Sequence, residues 1–229
     1  MTKAKGNMYN FVTHTHNVIK GKCPHGCTYC YMNKLYSRKW LEAKPLYLDE
    51  KELRKNLGRG NSIFVGSSCD MWAAAVPDEW IIKVLRQIQV YADNKYFLQT
   101  KNPRRFIDFP YEIISRWYLG TTIETNRVYP FMGNIPRPVD RGGALDVLRD
   151  GGWGYKTFIT IEQIIDFDLN DFVAILKNAH PEFINIGADS GNNHLPEPEP
   201  EKIRALIKRL DGYKINIKKN LSRLLPKKE

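Results

Sequence analysis

The sequence lacks any long hydrophobic run: no stretch approaches the roughly 18–20 apolar residues that a membrane-spanning helix requires. Its first six residues are polar and charged, unlike the apolar core of a signal peptide. It also has no internal repeat of fixed period and no clear interdomain linker. We therefore expect a cytoplasmic protein that forms one domain over residues 1–229 and does not bind membranes.

Cysteine is scarce, with four residues in 229, but three of the four form the run Cys23-Pro-His-Gly-Cys27-Thr-Tyr-Cys30. In a reducing cytoplasm the spacing C-x3-C-x2-C indicates a metal site or catalysis rather than disulfide bonds. Three thiolates can hold three irons of a cubic iron–sulfur cluster and leave the fourth iron open for chemistry. The alternative is a zinc site completed by Cys69 or His25, although zinc sites favour paired C-x2-C units and only one such pair is present.

Negative charge is scarce at the C-terminus. The net charge is +10, and residues 201–229 contribute +7 of it, because ten Lys or Arg face only three acids there. The ten are Lys202, Arg204, Lys208, Arg209, Lys214, Lys218, Lys219, Arg223, Lys227 and Lys228. We expect a basic helix ending near Leu210, followed by a tail. Such a segment either attracts the phosphates of a nucleic acid or is a solvated surface.

Apolar runs alternate with helix-like stretches, which is typical of repeated βα units. Six runs predict strands, over residues 9–19, 62–65, 96–100, 117–124, 155–161 and 183–186. Six units are too few for an eight-unit barrel, so we predict an α/β fold with a partial (β/α)6 TIM-like barrel. Because the loops at the carboxyl ends of such strands converge, we expect ligands to bind there.

The cysteine run, with an aromatic residue before its third cysteine, resembles the signature of the radical S-adenosylmethionine (SAM) superfamily. The predicted units also resemble that superfamily's partial barrel, in which the cysteine loop follows the first strand. The string Cys-Thr-Tyr-Cys-Tyr resembles the cluster loop of spore photoproduct lyase. Three further strings, Val-Gly-Ser-Ser-Cys-Asp, Val-Pro-Asp-Glu-Trp and Leu-Gly-Thr-Thr-Ile-Glu, resemble an uncharacterised, phage-associated radical SAM family.

This resemblance implies an enzyme in which Cys23, Cys27 and Cys30 bind a [4Fe-4S] cluster and SAM chelates the open iron. One electron, from a donor such as flavodoxin or ferredoxin, cleaves SAM to methionine and a 5′-deoxyadenosyl radical, which takes a hydrogen atom from the substrate. Tyr29 is the aromatic expected near the adenine of SAM. The resemblance leaves the reaction type open among lyase, isomerase and transferase.

The sequence departs from the superfamily where Gly-Gly-Glu usually holds the amino group of SAM, after strand two. Gly66-Ser-Ser-Cys-Asp70 stands there, so Ser67, Ser68 and Asp70 are the predicted acceptors. The other strand ends supply further predicted SAM contacts, each of which is otherwise a loop cap or turn residue. They are Lys101, Thr122, Glu124, Asn126, Glu162 and Asp189.

Cys69 and Asp70 are the predicted catalytic residues. A thiol can donate a hydrogen atom to a carbon radical, the role that a separate cysteine has in spore photoproduct lyase. The alternative for Cys69 is a buried small hydrophobic residue. We expect His25, inside the cysteine run, to be a solvent-facing spacer.

The predicted substrate is a nucleic-acid base or nucleotide, in DNA modification or repair. This prediction rests on the basic C-terminus, the lyase-like loop and aromatics such as Trp72 and Trp153 that can stack on bases. A chain this small requires a flipped base or a single strand. The alternatives are a peptide or small metabolite as substrate, or a zinc-stabilised nucleic-acid-binding module without enzymatic activity. No second cysteine cluster is present, which argues against the radical SAM group with auxiliary clusters.

Overall fold

The computed structural model describes residues 1–6 and 8–226, and the elements below are those of this part of the chain. The strands are β1 (Thr2–Lys3), β2 (His14–His16), β3 (Ile19–Lys20), β4 (Tyr47–Leu48), β5 (Ser62–Val65), β6 (Lys95–Thr100), β7 (Tyr118–Thr122), β8 (Lys156–Ile161), β9 (Phe183–Ile186) and β10 (Lys214–Ile217). The α-helices are α1 (Tyr31–Ser37), α2 (Glu50–Leu53), α3 (Asp78–Val90), α4 (Pro138–Asp150), α5 (Leu169–Asn178) and α6 (Pro200–Arg209). Short 3-10 helices cover Pro103–Asp108, Pro130–Met132 and Lys219–Leu224. None of the helices in this part of the chain is long and apolar enough to span a membrane.

Eight strands form one sheet in the order β1-β2-β5-β6-β7-β8-β9-β10, while β3 and β4 pair separately. Neighbours from β2 to β10 are parallel, and β1 is antiparallel to β2. The predicted α/β fold with a mostly parallel sheet is therefore confirmed. The sheet is open in the described part of the chain, with β1 and β10 at its edges, and its description as part of a barrel stays a prediction.

Both faces of the central strands β5 to β9 are largely buried, which explains why adjacent residues in these strands are so often apolar. Successive side chains of a strand lie on opposite faces, so Ile184 packs in the core that the helices cover while Phe183 packs on the other face. On that second face Phe183 joins Phe64, Phe97 and Phe158, and Tyr9 covers them. The N-terminal segment thus closes the face that the helices leave uncovered.

Toward the carboxyl ends of the strands, the second face becomes polar. The Thr160 hydroxyl donates to Gln99 Oε1 at 2.8 Å, and Asn185 Nδ2 donates to Thr160 Oγ1 at 3.2 Å. Asn216 Nδ2 extends the chain to Asn185 Oδ1 at 3.0 Å. This polar layer, lying above the aromatic one, marks the carboxyl-end edge where the topology predicts a ligand site.

Two predicted elements differ from the structure. The predicted first strand, residues 9–19, contains only β2 and β3, because part of the segment folds over the aromatic face. The predicted C-terminal tail is wrong: residues 214–217 form β10, in which Ile215 lies opposite Ile184, and Leu221 beyond it is fully buried. The basic helix itself is confirmed as α6. Lys227, Lys228 and Glu229 lie outside the described residues.

Candidate functional site

The three clustered cysteines lie in a loop between β3 and α1, called the cysteine loop (residues 21–30). Cys27 is buried, Cys23 and Cys30 are partly exposed, and all three are free thiols. Cys30 is the N-cap of α1, and its side chain makes no capping hydrogen bond. Burial raises the pKa of its thiol, and the nearby backbone N–H groups of Met32 and Asn33 oppose that rise. The Cys69 side chain lowers the pKa of Cys23, and the backbone N–H groups of Asp70 and His25 lower it further. Such donors stabilise thiolates, the form of cysteine that binds metals.

A second segment, the clamp segment (residues 129–135), lies against the cysteine loop and fixes its backbone. The N–H of Asn134 donates to the carbonyl of His25 at 2.7 Å, and the N–H of Thr28 donates to the clamp segment at 3.0 Å. Gly133 has φ of +79°, and a Cβ there would clash with the backbone of the cysteine loop. The Pro- and Gly-rich passage after β7 therefore positions the thiols, a role that its composition alone did not reveal.

His25 connects the cysteine loop to Asp70, and the prediction that it is a solvent-facing spacer is wrong. Its side chain is buried, with Nε2 2.8 Å from Asp70 Oδ2 and Nδ1 3.1 Å from the carbonyl of Asn134. Both neighbours are acceptors, so both ring nitrogens donate and the ring is an imidazolium. Burial alone would lower the pKa of His25, but Asp70 outweighs it and raises that pKa.

Asp70 holds three parts of the structure together. Its Oδ2 also accepts the Thr100 hydroxyl and the N–H of Lys101, each at 2.8 Å, and its Oδ1 accepts the N–H of Trp72 at 3.0 Å. Burial alone would raise the pKa of Asp70, but the charge on His25 lowers it. These bonds give Asp70 a positioning role between the cysteine loop and the end of β6. Its predicted contact with SAM and its catalytic role stay predictions.

Glu124 is the centre of a buried charge cluster beside the cysteine loop. It is fully buried, accepts the Tyr29 hydroxyl at 2.7 Å and Arg141 Nη1 at 2.8 Å, and forms an ion pair with Lys101. Burial alone would raise the pKa of Glu124, but Lys101 and Arg141 lower it to about 2. One carboxylate and two cations leave the cluster with a charge of +1. Three predicted site residues, Tyr29, Lys101 and Glu124, are thus brought together.

Arg141 is the member of this cluster that sequence reasoning missed. It is fully buried in α4, and besides Glu124 it donates to the carbonyl of Thr122. Its Nε and Nη2 have no hydrogen-bond partner among the described residues. Unpaired buried N–H groups are costly, so a ligand with acceptor oxygens would stabilise them. The signal in the sequence was an arginine at an internal helix position, which most often lies on an exposed face.

The thiols differ in how readily they ionise. Burial raises the pKa of Cys27 to about 11, although the nearby Lys101 opposes this rise. Burial likewise raises the pKa of Cys30. In contrast, a hydrogen bond from the thiol of Cys69 lowers the pKa of Cys23, and the same bond raises the pKa of Cys69. Cys23 is therefore the first of the three thiols to ionise.

The donor set fits an iron–sulfur cluster in its chemistry: three free thiols lie on one loop, backbone N–H groups near two of them favour ionisation, and the largely buried cation Lys101 is close by. Within the described ranges, no three His, Cys, Asp or Glu side chains are already gathered as a metal site. The thiols must therefore turn toward a bound cluster. The unpaired N–H groups of Arg141 fit an anionic group such as the carboxylate of SAM.

Cys69, predicted as a hydrogen-atom donor, is buried and contacts Cys23 through its thiol. Ser67 and Ser68 precede it and both bond to Asn17: the Ser67 hydroxyl donates to Asn17 Oδ1 at 3.1 Å, and the N–H of Ser68 donates to the same oxygen at 3.2 Å. The loop after β5 therefore lies directly beside the cysteine loop. Its predicted contacts with the amino group of SAM stay predictions.

Like Ser67 and Ser68, the four remaining predicted cofactor residues lie outside the charge cluster. The Thr122 hydroxyl accepts Gln99 Nε2 at 3.2 Å in the polar layer. Asn126 exchanges two hydrogen bonds with Asp168, at 2.8 and 3.1 Å. These bonds tie the loop after β7 to the start of α5, so Asn126 acts there as a loop residue.

The other two follow β8 and β9. Glu162 forms an ion pair with Lys218 at 2.7 Å, a partner that the sequence did not suggest. Asp189 accepts the N–H groups of Gly191 and Asn193, and Asn193 Nδ2 reaches the carbonyl of Tyr29 at 3.4 Å. The loop after β9 is therefore connected to the cysteine loop through Asn193.

A surface cavity of about 410 Å³ lies elsewhere, at the start of α5, and none of the predicted site residues lines it. Its lining consists of Phe167, Asp168, Leu169, Asn170, Asp171 and Lys202. We place the candidate site at the cysteine loop because that is where thiols, buried charges and converging strand ends meet.

Comparisons with known proteins give one family and one fold. The model of the family described as "Protein of unknown function (DUF5131)" matches residues 7–132, more than half of the chain, including the cysteine loop. No curated protein matches the sequence.

The fold is similar to that of spore photoproduct lyase. A mutant of that enzyme with bound AdoMet and dinucleoside spore photoproduct aligns with a TM-score of 0.58 and 10% identity, over 91% of this chain and 64% of that one. A second mutant structure has a TM-score of 0.56 and 11% identity, over 93% of this chain and 65% of that one. This chain thus spans less than two thirds of the length of those chains. At such identity the similarity concerns the fold alone.

Proposed function

We propose that this chain, which belongs to the DUF5131 family of proteins of unknown function, is a radical SAM enzyme that acts on a nucleic-acid base or nucleotide. The observation that carries the proposal is the cysteine loop itself. It presents three free thiols beside the buried Glu124 cluster, at the carboxyl ends of a mostly parallel sheet. The similarity in fold to spore photoproduct lyase, one structure of which contains bound AdoMet, supports it.

In this proposal Cys23, Cys27 and Cys30 hold a [4Fe-4S] cluster. When bound, the cluster and SAM supply the one-electron chemistry that produces a carbon radical, with an electron from a flavodoxin- or ferredoxin-like donor. The backbone N–H groups near the sulfurs of Cys23 and Cys30 favour the thiolate form that binds iron. The clamp segment and the bonds of Asp70 hold the loop in place while it binds its ligands.

The charge cluster binds the anionic part of SAM. Lys101 and Arg141 supply two positive charges against the one negative charge of Glu124. Arg141 also has two N–H-bearing nitrogens, Nε and Nη2, without a hydrogen-bond partner among the described residues. Glu124 keeps both cations in position, and the Tyr29 hydroxyl is fixed by the same carboxylate. We assign the amino group of SAM to the segment Ser67–Asp70.

We assign the other predicted residues to the loops around this centre. Glu162 and Asp189 follow β8 and β9, and Asn126 ties the loop after β7 to Asp168. In this proposal Cys69 donates a hydrogen atom to the substrate radical, and its burial beside Cys23 supports that role.

The nucleic-acid substrate class has two supports. The similar fold occurs in structures of spore photoproduct lyase with dinucleoside spore photoproduct, and the chain carries a net charge of +10. A peptide or small metabolite is the alternative substrate.

Metal content distinguishes the enzyme from a zinc-binding module. The chain is purified without oxygen and reconstituted with iron and sulfide. A brown protein with about four irons per chain is the expected result. A colourless protein that keeps stoichiometric zinc and takes up no iron contradicts the proposal.

Label transfer identifies the substrate class. Deuterated DNA, nucleosides and peptides are each incubated with the reconstituted protein, SAM and a strong reductant. Deuterium appearing in 5′-deoxyadenosine from DNA or nucleosides is the expected result. Transfer from a peptide, with none from any nucleic acid, shows that the substrate is not a nucleic acid.

A further inference from the structure

We propose that a basic and aromatic surface next to the cysteine loop binds single-stranded DNA. This docking patch consists of Lys22, Arg38, Lys39, Trp40 and Lys44. The inference rests on the proposed function and deepens it, since it specifies where the strand that contains the reacting base is held. It differs from the expectation that the basic C-terminus binds nucleic acid.

Trp40 is a large aromatic side chain held out in solvent. Its side chain is 66% exposed, and the guanidinium of Arg38 lies over its ring at 5.1 Å from the centroid. The position is fixed by the end of α1: Lys39 has φ of +55°, and the N–H of Trp40 donates to the carbonyl of Leu35 at 2.9 Å. An exposed, backbone-fixed indole with a cation beside it is suited to stacking on an unpaired base.

The charge around Trp40 is mostly positive. Residues 31–48 contain four Lys or Arg and a single acid, Glu42, whose partner is Lys44 at 3.1 Å. Lys22, Arg38 and Lys39 are exposed and form no ion pair with any residue that the structure describes. Unpaired cations on the same surface segment as an exposed aromatic side chain are complementary to a phosphate backbone with splayed bases.

The docking patch is joined directly to the cysteine loop. The N–H of Lys22 donates to the carbonyl of Lys44 at 2.9 Å, and the Tyr36 hydroxyl donates to the carbonyl of Gly21 at 3.2 Å. Gly21 lies so close to the backbone of Pro45 that a Cβ would clash. Because Cys23 follows Lys22 by one residue, a strand bound on the docking patch is brought next to the thiols.

A single strand fits these features better than a duplex. In a duplex the base faces are stacked on each other and are unavailable to Trp40, whereas a single strand exposes them. The cations can bind the phosphates of a single strand or of a duplex. Stacking on Trp40 is therefore the contact that favours the single strand.

Binding of fluorescein-labelled oligothymidylate of about 12 nucleotides tests the inference by fluorescence anisotropy, with the full-length chain, over a range of salt concentrations. We expect Trp40→Ala to weaken binding about tenfold. Arg38→Gln and Lys39→Gly are each expected to lower the slope of log affinity against log salt by about 0.7. Glycine suits the positive φ of Lys39, so that variant retains the turn.

Two controls match these variants. Tyr111→Ala removes another aromatic side chain, 94% exposed, and Lys208→Gln removes an exposed cation of α6. Neither is expected to change binding. An abasic strand of equal length is expected to bind more weakly and to be insensitive to Trp40→Ala.

Four results overturn the inference: unchanged affinity of Trp40→Ala, equal losses in the two controls, equally tight binding of a duplex, or a preference for RNA over DNA. SAM cleavage without nucleic acid is measured in parallel. If wild type cleaves SAM but one of these four results is found, the docking patch is rejected and the radical SAM proposal stands. No cleavage, with DNA binding that depends on Trp40, rejects the radical SAM proposal and retains the docking patch.

Discussion

The cysteine loop and the C-terminal segment both stand out in the sequence, one by its thiols and the other by its charge, and the structure uses their charges differently. In the Glu124 cluster beside the cysteine loop the charges are few, largely buried and paired, since Glu124 contacts both Lys101 and Arg141. In residues 201–226 they are numerous, and several neutralise acids of other elements, as Lys202 does with Asp166 at 2.6 Å. Charge density therefore points less directly to a site than burial of a few paired charges.

Buried and exposed ion pairs differ greatly in how much free energy of unfolding is lost when one partner is removed. Removing one partner of a buried pair leaves an uncompensated charge and costs about 3–5 kcal/mol, whereas an exposed pair contributes about 0–1 kcal/mol. The C-terminal segment contains mostly the second kind, since Lys208, Arg209, Lys214 and Lys219 are exposed.

The largest expected effect comes from Glu124→Gln. Lys101 and Arg141 then lose their carboxylate in a fully buried place, and we expect the free energy of unfolding to fall by about 3–5 kcal/mol. Urea denaturation measures it. The matched control is Glu201→Gln, which removes a largely exposed partner of Arg204 and is expected to cost less than about 1 kcal/mol. Equal losses in the two variants would remove the distinction between the regions.

Gly133→Ala tests the clamp segment. A Cβ at φ of +79° meets the backbone of the cysteine loop, so we expect a loss of about 2 kcal/mol or more, together with weaker iron uptake. Gly143→Ala is the control, because a Cβ there meets nothing within 4 Å. As an alanine inside α4, it is expected to stabilise the fold by about 0.5–1 kcal/mol. If both variants take up iron like wild type, the clamp does not position the thiols.

Low pH tests whether the buried Glu124 is held ionised. The pKa of Glu124 is lowered to about 2 in the folded chain, below the usual value of about 4.3. Its contribution to stability is therefore complete above pH about 4.3 and is lost as the pH falls toward 2. We expect the stability difference between wild type and Glu124→Gln to be about 2 kcal/mol smaller at pH 3 than at pH 6. A difference that is independent of pH would show that the carboxylate is not held ionised.

The smallest effect is expected in the C-terminal segment. Lys208→Gln and Lys214→Gln remove exposed cations and are expected to change the free energy of unfolding by less than about 0.5 kcal/mol each. Lys218→Gln, which removes a largely buried partner of Glu162 at 2.7 Å, is expected to cost more. Denaturation of the three variants side by side checks this order, and a large loss at Lys208 would contradict it.

Local patterns allowed the parallel strands and the three thiols to be predicted, because apolar runs and C-x3-C-x2-C spacing lie within short stretches. The contacts that support the thiols could not be predicted, because their partners are distant in sequence. His25 bonds to Asp70, 45 residues away, and Glu124 bonds to Tyr29, 95 residues away.

Two other features, β10 and the burial of Arg141, could not be predicted from the sequence for physical reasons as well. β10 has only four residues and lies in a strongly basic stretch, so its pairing with β9 is visible only in the assembled sheet. Arg141 is buried because a carboxylate from another element compensates it, and no local pattern encodes that partner.

Formation of 5′-deoxyadenosine from SAM tests the central claim most directly. Wild type and the single variants Cys23→Ala, Cys27→Ala and Cys30→Ala are reconstituted with iron and sulfide, reduced without oxygen and incubated with SAM. We expect 5′-deoxyadenosine from wild type and none above background from the three variants. Product formed equally by the variants, or no product from wild type that contains four irons per chain, would contradict the claim that the cysteine loop is a radical SAM centre.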